Sequence, residues 1–264
     1  MKRVTITAAG LAAGLLLAMP NAAAAACPPD AVQVGHLCVD RYEASAWKIP
    51  DTLANKDNLI AAIQAGMITS APQMAGAVRR GESSDDYSTC PDNGGGACTK
   101  VYAVSIAGVV PSRHLTWFQA AAACTSSGKR LLTNYEWTVA ALGSPDPTGS
   151  DNGLTDCNTN NTNTVSNTGS RSACVSSRGA FDMVGNLKEW VADWVPLSTA
   201  CPGWAGESND DNCFAGASPV GYNAALVRGG SFSSHGSAGP LSVTAAIQPF
   251  VPLFSIGFRC AREL

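Results

Sequence analysis

Apolar and polar positions begin to alternate in short runs after residue 26. In Cys38-Val39-Asp40-Arg41-Tyr42-Glu43 every second side chain falls on one face, the pattern of a half-buried strand, and residues 27–50 read as strands. Residues 57–65 have the spacing of a short helix, with Asp57 placed to cap it and Gly66 to end it. Residues 67–100 break into an irregular stretch rich in Gly, Ser and Asp. Thr116-Trp117-Phe118-Gln119 is a capping box that opens an Ala-rich helix ending at Gly128. Thr133-Asn134-Tyr135-Glu136 is a second capping box, and Gly143 stops that helix. Residues 144–178 form a long Asn/Thr/Ser/Gly loop, a length that in a compact domain points to function or bound ions. Short strands and Gly-rich turns follow, without an internal repeat, so 27–264 is expected to be one domain.

The first 26 residues have a different character. A basic Met1-Lys2-Arg3, an Ala/Leu run to Met19, Pro20 and the small residues Ala22–Ala26 follow the order of a secretory signal peptide cleaved before Cys27. The apolar run is shorter than the roughly 20 residues of a membrane span. A lipidated Cys27 is the weaker alternative, because the Leu usual before such a cysteine is missing. The expected location is secreted, periplasmic or at the cell surface, with no transmembrane segment after cleavage. The whole chain of 264 residues carries 17 basic and 20 acidic groups, and losing Lys2 and Arg3 leaves 15 against 20, or −5. No basic face is available for a phosphate backbone, which argues against a nucleic-acid partner.

All ten cysteines lie beyond residue 26, an even count that reads as disulfides in an exported protein. Spacing suggests local staples Cys27–Cys38, Cys90–Cys98, Cys157–Cys174 and Cys201–Cys213, leaving Cys124 and Cys260 over. The absence of any CxxC pair and the presence of only His36, His114 and His235 argue against zinc.

Four segments in order, Pro111–Ala120, Gly128–Trp137, Gly179–Trp190 and Val227–Phe232, followed by Gly257-Phe258-Arg259-Cys260, resemble the formylglycine-generating enzyme (sulfatase-modifying factor) family. The resemblance covers about residues 30–264. It implies a C-type-lectin-like α+β fold, loop-rich and disulfide-stapled, with two central helices and short twisted strands, and it implies the long-range bridge Cys124–Cys260. It further implies a structural Ca²⁺ held by the side chains of Asp182 and Glu189 and the carbonyls of Gly185 and Leu187, hard oxygen ligands of the kind Ca²⁺ takes. The alternative is a capped turn with Glu189 in a salt bridge. A second ion in the 151–170 loop has no ligands that can be assigned.

The enzymes of that family oxidise a substrate cysteine to formylglycine with O₂, using two cysteines that bind copper(I), a metal that requires soft thiolates. Counted from Gly229-Gly230-Ser231-Phe232, those positions fall on Ser234 and Gly239. Both thiols are missing, which argues against copper and against formylglycine chemistry. Ser234 and His235 are weak catalytic candidates, since a lone His is more often structural.

Residues 232–255 lie between two family-like motifs and contain no Lys, Arg, Asp or Glu. Such a framed segment of Phe, Leu, Val and Ser suits an exposed binding surface, formed by Phe232, Ser234, His235, Leu241, Val243, Phe250, Val251, Leu253 and Phe254. The frame also resembles the variable region of proteins diversified by retroelements. Their randomised codons exclude Lys, Glu, Gln, Met and Trp, and here only Gln248 belongs to that set. Trp117, Trp137, Trp190 and Trp194 read as core or scaffold residues, Trp204 as a candidate for the binding face, and Arg228 and Arg259 as holding the scaffold by hydrogen bonds and ion pairs. The chain is thus expected to be an exported ligand-binding protein whose partner is a protein or surface ligand of unknown identity. The alternatives are an oxidoreductase of the same family and an inert accessory protein.

Overall fold

The computed structural model describes residues 26–84, 86–87, 100–147, 150–160 and 163–264. The expected signal peptide and the Cys90–Cys98 bridge lie outside them. Two strands, β1 (Ala31–Val34) and β2 (Leu37–Asp40), form a hairpin closed by Gly35, whose φ of 62° suits a residue without a Cβ. β2 then pairs with the C-terminal strand β12 (Cys260–Glu263), and β12 with the short β6 (Arg130–Leu131), giving the order β1-β2-β12-β6. This sheet ties both ends of the described chain together.

β3 (Ser45–Lys48) lies between β4 (Val78–Arg80) and β5 (Val101–Val104) in an antiparallel sheet. The third sheet is built on β7 (Lys188–Pro196) and β9 (Asn223–Arg228). β11 (Ile256–Phe258) runs parallel to β7, while β10 (Val243–Thr244) follows β9 and carries β8 (Asn212–Cys213) on its edge. The helices are α1 (Lys56–Gln64), α2 (Trp117–Ser126) and α3 (Asn134–Ala141). α2 and α3 open with the two expected capping boxes, Thr116 with Gln119 and Thr133 with Glu136.

α2 covers a core containing Trp190, Phe258 and the Cys124–Cys260 bridge, and α3 brings Trp137 against Val39, Val191 and Leu226. α1 packs Leu59 and Ile63 with Trp47 and Tyr102 in a third cluster. Cys27–Cys38, Cys157–Cys174 and Cys201–Cys213 also form as their spacing suggests. Among the described residues no helix is long and apolar enough to cross a membrane.

Several local expectations are corrected. β2 is buried at all four positions, because β1 and β12 flank it while core side chains cover both its faces, so the half-buried alternation does not hold. α1 starts after Asn55, which makes no side-chain cap; Asp57 sits in the first turn, where its charge favours the positive end of the helix. Residues 67–100 hold more structure than expected, a 3₁₀ turn over Ala71–Met74 and strand β4.

Candidate binding face and buried charge cluster

The candidate face begins where β9 ends. Arg228 stacks on Trp137 at 4.8 Å and grips the following turn by its carbonyls. Its Nη1 donates to Ser242 O (2.6 Å) and Leu241 O (3.2 Å), and its Nη2 to Pro240 O (3.2 Å) and Thr138 Oγ1 (3.1 Å). Gly229 and Gly230 have φ of 87° and 77° and pack so closely on Met183 O and on Ala238 that a Cβ at either would collide. This fixes the frame around residues 231–242.

Within that frame, Ser234 is half-buried and its Oγ accepts from Ser231 N at 2.9 Å, closing a small turn with Ser231 and Ser233. His235 is exposed at φ 54°, and its backbone N–H donates to Thr159 O at 3.0 Å. Gly239 is buried, and a Cβ there would overlap the carboxyl of Asp210, carried by the Cys201–Cys213 loop. The space that a side chain at 239 needs is therefore filled.

The predicted ligand residues divide. Phe250 (60 % exposed), Phe254 (53 %) and Leu241 (44 %) are open to solvent, and Val251 and Leu253 are half-buried. Phe232 and Val243 are buried, Phe232 with its ring 6.0 Å from that of Phe254 and Val243 in the core beneath β9, so neither is free to meet a ligand. Two aromatic residues missing from that set stand beside it. Trp194 is 41 % exposed and packs edge-on against Trp117 and Phe118, itself exposed. Trp190 and Trp194 pair with Val227 and Ala225, which share one face of the sheet, with a register shift between the two pairs; Trp190 is buried in the core and Trp194 lies farther along β7 at the surface. Ile247 O accepts from Ala225 N, and Ala225 pairs with Trp194, so this aromatic cluster adjoins the 246–250 segment. Trp204 is half-buried against the core cluster of Trp137.

Asp182 and Glu189 lie in a buried charge cluster with Glu43 and Arg259. The Glu189 carboxylate accepts from Arg259 Nε (2.8 Å to each oxygen), Arg259 Nη2 (2.6 Å) and Trp137 Nε1 (2.7 Å). Arg259 thus holds the scaffold as expected, also donating to Phe181 O at 2.7 Å. Glu43, which the sequence did not single out, accepts from Leu187 N at 2.9 Å and from Asn186 Nδ2. Burial pushes the Glu43 carboxyl well up, with repulsion from Asp182 and Glu189 adding to it; burial likewise pushes Asp182 up to about 6, against a hydrogen bond from Gly169 N. The charges of Arg259 and Arg171 both reach Asp182. Both Glu189 oxygens accept from Arg259 and Trp137, so of the two carboxylates expected to hold Ca²⁺ the one not engaged by a guanidinium hydrogen bond is Asp182, a hard oxygen donor that accepts from Gly169 N at 2.7 Å. In the 151–170 loop, Asp151 accepts from Gly153 N, Thr159 N and Asn160 N and faces Arg171 at 3.6 Å, so protein donors already serve its carboxylate.

Residues 86–264 match the family described as sulfatase-modifying factor enzyme 1-like domain. A formylglycine-generating enzyme of Thermomonospora curvata is 30 % identical over 173 residues, 58 % of this chain and 55 % of that protein. The chain therefore spans about half the length of this relative. Among solved structures, CarF aligns over 86 % of each chain at 17 % identity with a TM-score of 0.43. A Major Tropism Determinant, the I1 variant, aligns over 62 % of this chain and 46 % of its own at 19 % identity, with a TM-score of 0.42.

Proposed function

Since the chain belongs to the sulfatase-modifying factor enzyme 1-like domain family, we propose that it is a non-catalytic member that binds a ligand through residues 232–255. One observation carries this reading. The positions matching the family's copper-binding thiols are Ser234 and Gly239, and the Asp210 carboxyl occupies the space a thiol at 239 needs. A hydroxyl is a poor ligand for copper(I), and glycine has no ligand at all. The exposed Phe250, Phe254 and Leu241, with Trp194 and Phe118 adjoining the 246–250 segment, supply the apolar area on which interfaces are centred.

The test is a copper(I) titration of the protein with O₂ consumption measured on a cysteine-containing sulfatase-motif peptide. No copper uptake and no turnover are expected. Tight copper binding with O₂ uptake overturns the reading in favour of the oxidoreductase, the reading to which the 30 % identity to a formylglycine-generating enzyme points. For the binding role, substitutions among close relatives are expected to concentrate at exposed positions of 232–255. An even spread would make the protein an accessory scaffold. Diversification by a retroelement further requires a reverse transcriptase gene and a template repeat beside this gene.

A structural Ca²⁺ belongs to the same proposal. Asp182 with the carbonyls of Gly185 and Leu187 would hold it, and its chemistry there is neutralisation of buried carboxylates. Calcium is expected to raise the thermal midpoint, and Asp182→Ala to abolish the increment. Equal midpoints in calcium and in chelator would remove the ion from the scheme. Export rests on the first 26 residues together with four disulfides, a combination suited to an oxidising compartment.

A further inference from the structure

Residues 232–255 bring no charge of their own to the binding face. A neighbouring strand brings one. Lys188 opens β7 beside Ile256 of β11, and its backbone N–H donates to Ser255 O at 2.9 Å. Ile256 and Trp190, two residues along β7, are buried in one core cluster, so the Lys188 side chain leaves the sheet on their face. Glu189 and Arg228 turn to the other face, where both meet Trp137. Because Arg228 pairs with Glu189, the next residue, Gly229, comes opposite Lys188 and offers no side chain to cover it.

The cations of the interior are otherwise matched. Lys129 is paired with Asp30 and Asp40, Arg259 with Glu189, and Arg228 serves the carbonyls of residues 240–242. Lys188 is half-buried, yet among the described residues its ammonium makes no hydrogen bond and no ion pair. The charge of Asp211 reaches it without closing a pair. Asp211 is itself tied to the binding segment, donating from its backbone N–H to Ser237 O at 2.9 Å and accepting at its carbonyl from Val243 N at 2.9 Å. Burial pushes the Lys188 ammonium below the ordinary lysine value, and Asp211 offsets part of this. An ammonium drawn out of water without a partner is costly, and an anion brought by a ligand removes that cost.

We propose that Lys188 is the anchoring cation of the binding face, and that the ligand presents to it a carboxylate attached to an apolar group. The acid pairs with the ammonium while the apolar part packs on the exposed Phe254, the residue before Ser255. One point charge with Asp211 close by balances a single negative charge, which suits a carboxylate and not a phosphate dianion. This assignment rests on the binding role proposed above and names the chemistry that role would serve.

Two matched pairs of probes test it on the intact protein by calorimetric titration. They are phenylacetate against phenylacetamide, and the blocked peptide acetyl-Leu-Glu-Phe-amide against its Gln counterpart. An acid is expected to bind about tenfold more tightly than its amide. Lys188→Met is expected to erase that preference, and Lys188→Arg to keep most of it. A preference confined to phenylacetate assigns the site to a small free acid, and one confined to the peptide assigns it to an acidic residue of a protein partner. Acylation of the Lys188 amine, followed by peptide mass spectrometry, gives an independent readout: the acid slows it and the amide does not, while acylation of Lys48 stays constant. Acid and amide bound equally, or a preference that survives in Lys188→Met, overturns the anchor. So does inorganic phosphate that protects Lys188 as well as the acids do, or the failure of every probe to bind or protect. The binding role itself fails elsewhere, in copper uptake with turnover or in an even spread of substitutions among relatives.

Discussion

At the scale of single residues, Arg259 and Glu189 form an ion pair that is almost wholly buried. Desolvating two charges is offset only while each keeps the other and its hydrogen bonds. Arg259→Met leaves Glu189 with a single donor, Trp137, and Glu43 and Asp182 without their guanidinium. A loss of about 3–5 kcal/mol in urea unfolding is expected, with Glu189→Gln milder because the carboxamide still accepts from Trp137. Equal losses would mean that a buried Arg259 without its counter-ion costs as much as the unpaired carboxylates. Arg259 was legible from Gly257-Phe258-Arg259-Cys260, and an ion pair at Glu189 was one of the two readings of its motif. Glu43 was not legible. It lies 143 residues from Asn186 in sequence and joins the cluster only through the fold. Asp210 was hidden for the same reason: its meaning depends on what stands over Gly239, and no local pattern records that.

At the scale of elements, α2 and α3 were readable because a capping box is local chemistry, completed within four residues. Thr133 Oγ1 accepts from Glu136 N at 3.2 Å, Glu136 accepts from Thr133 N at 2.8 Å, and Glu136 also takes two bonds from Arg130. Thr133→Ala is expected to cost about 1 kcal/mol, and to raise amide exchange in the first turn of α3 more than in its last. Uniform change along the helix would mean that packing of Trp137, not the cap, sets its stability. Strands were harder to read. Whether β2 is covered on one face or both is decided by β1 and β12, and β12 lies more than 200 residues downstream. Trp194 shares its sheet face with the buried Trp190 but lies farther along β7, and its exposure depends on what covers that end of the sheet, which no local pattern records.

At the scale of the molecule, the sheet that joins β2 to β12 and the Cys124–Cys260 bridge make one closure by two means. The bridge spans 136 residues, and both its cysteines are buried in the cluster that also holds Trp190 and Phe258. Cys27–Cys38 closes 11 residues beside the first hairpin. Loop-closure entropy grows with the logarithm of loop length, so the long bridge constrains the unfolded chain by about 5 kcal/mol and the short one by about 3 kcal/mol. Replacing Cys124 and Cys260 by Ala is therefore expected to destabilise the protein more than replacing Cys27 and Cys38, and also to open two small voids in a packed core. Denaturant titrations of the two double variants, with the remaining bridges kept oxidised, give the comparison. If the short bridge costs as much as the long one, the unfolded chain keeps its ends together without the disulfide, and the β2–β12 pairing would be the dominant closure. That outcome would bear on the binding face as well. Residues 232–255 are bounded by β9 on one side and β11 on the other, and β11 leads directly into β12. A segment free of charged residues can carry exposed Phe and Leu without collapsing because both of its ends are fixed to strands anchored elsewhere. The long bridge, one residue beyond Arg259, is the covalent part of that anchoring.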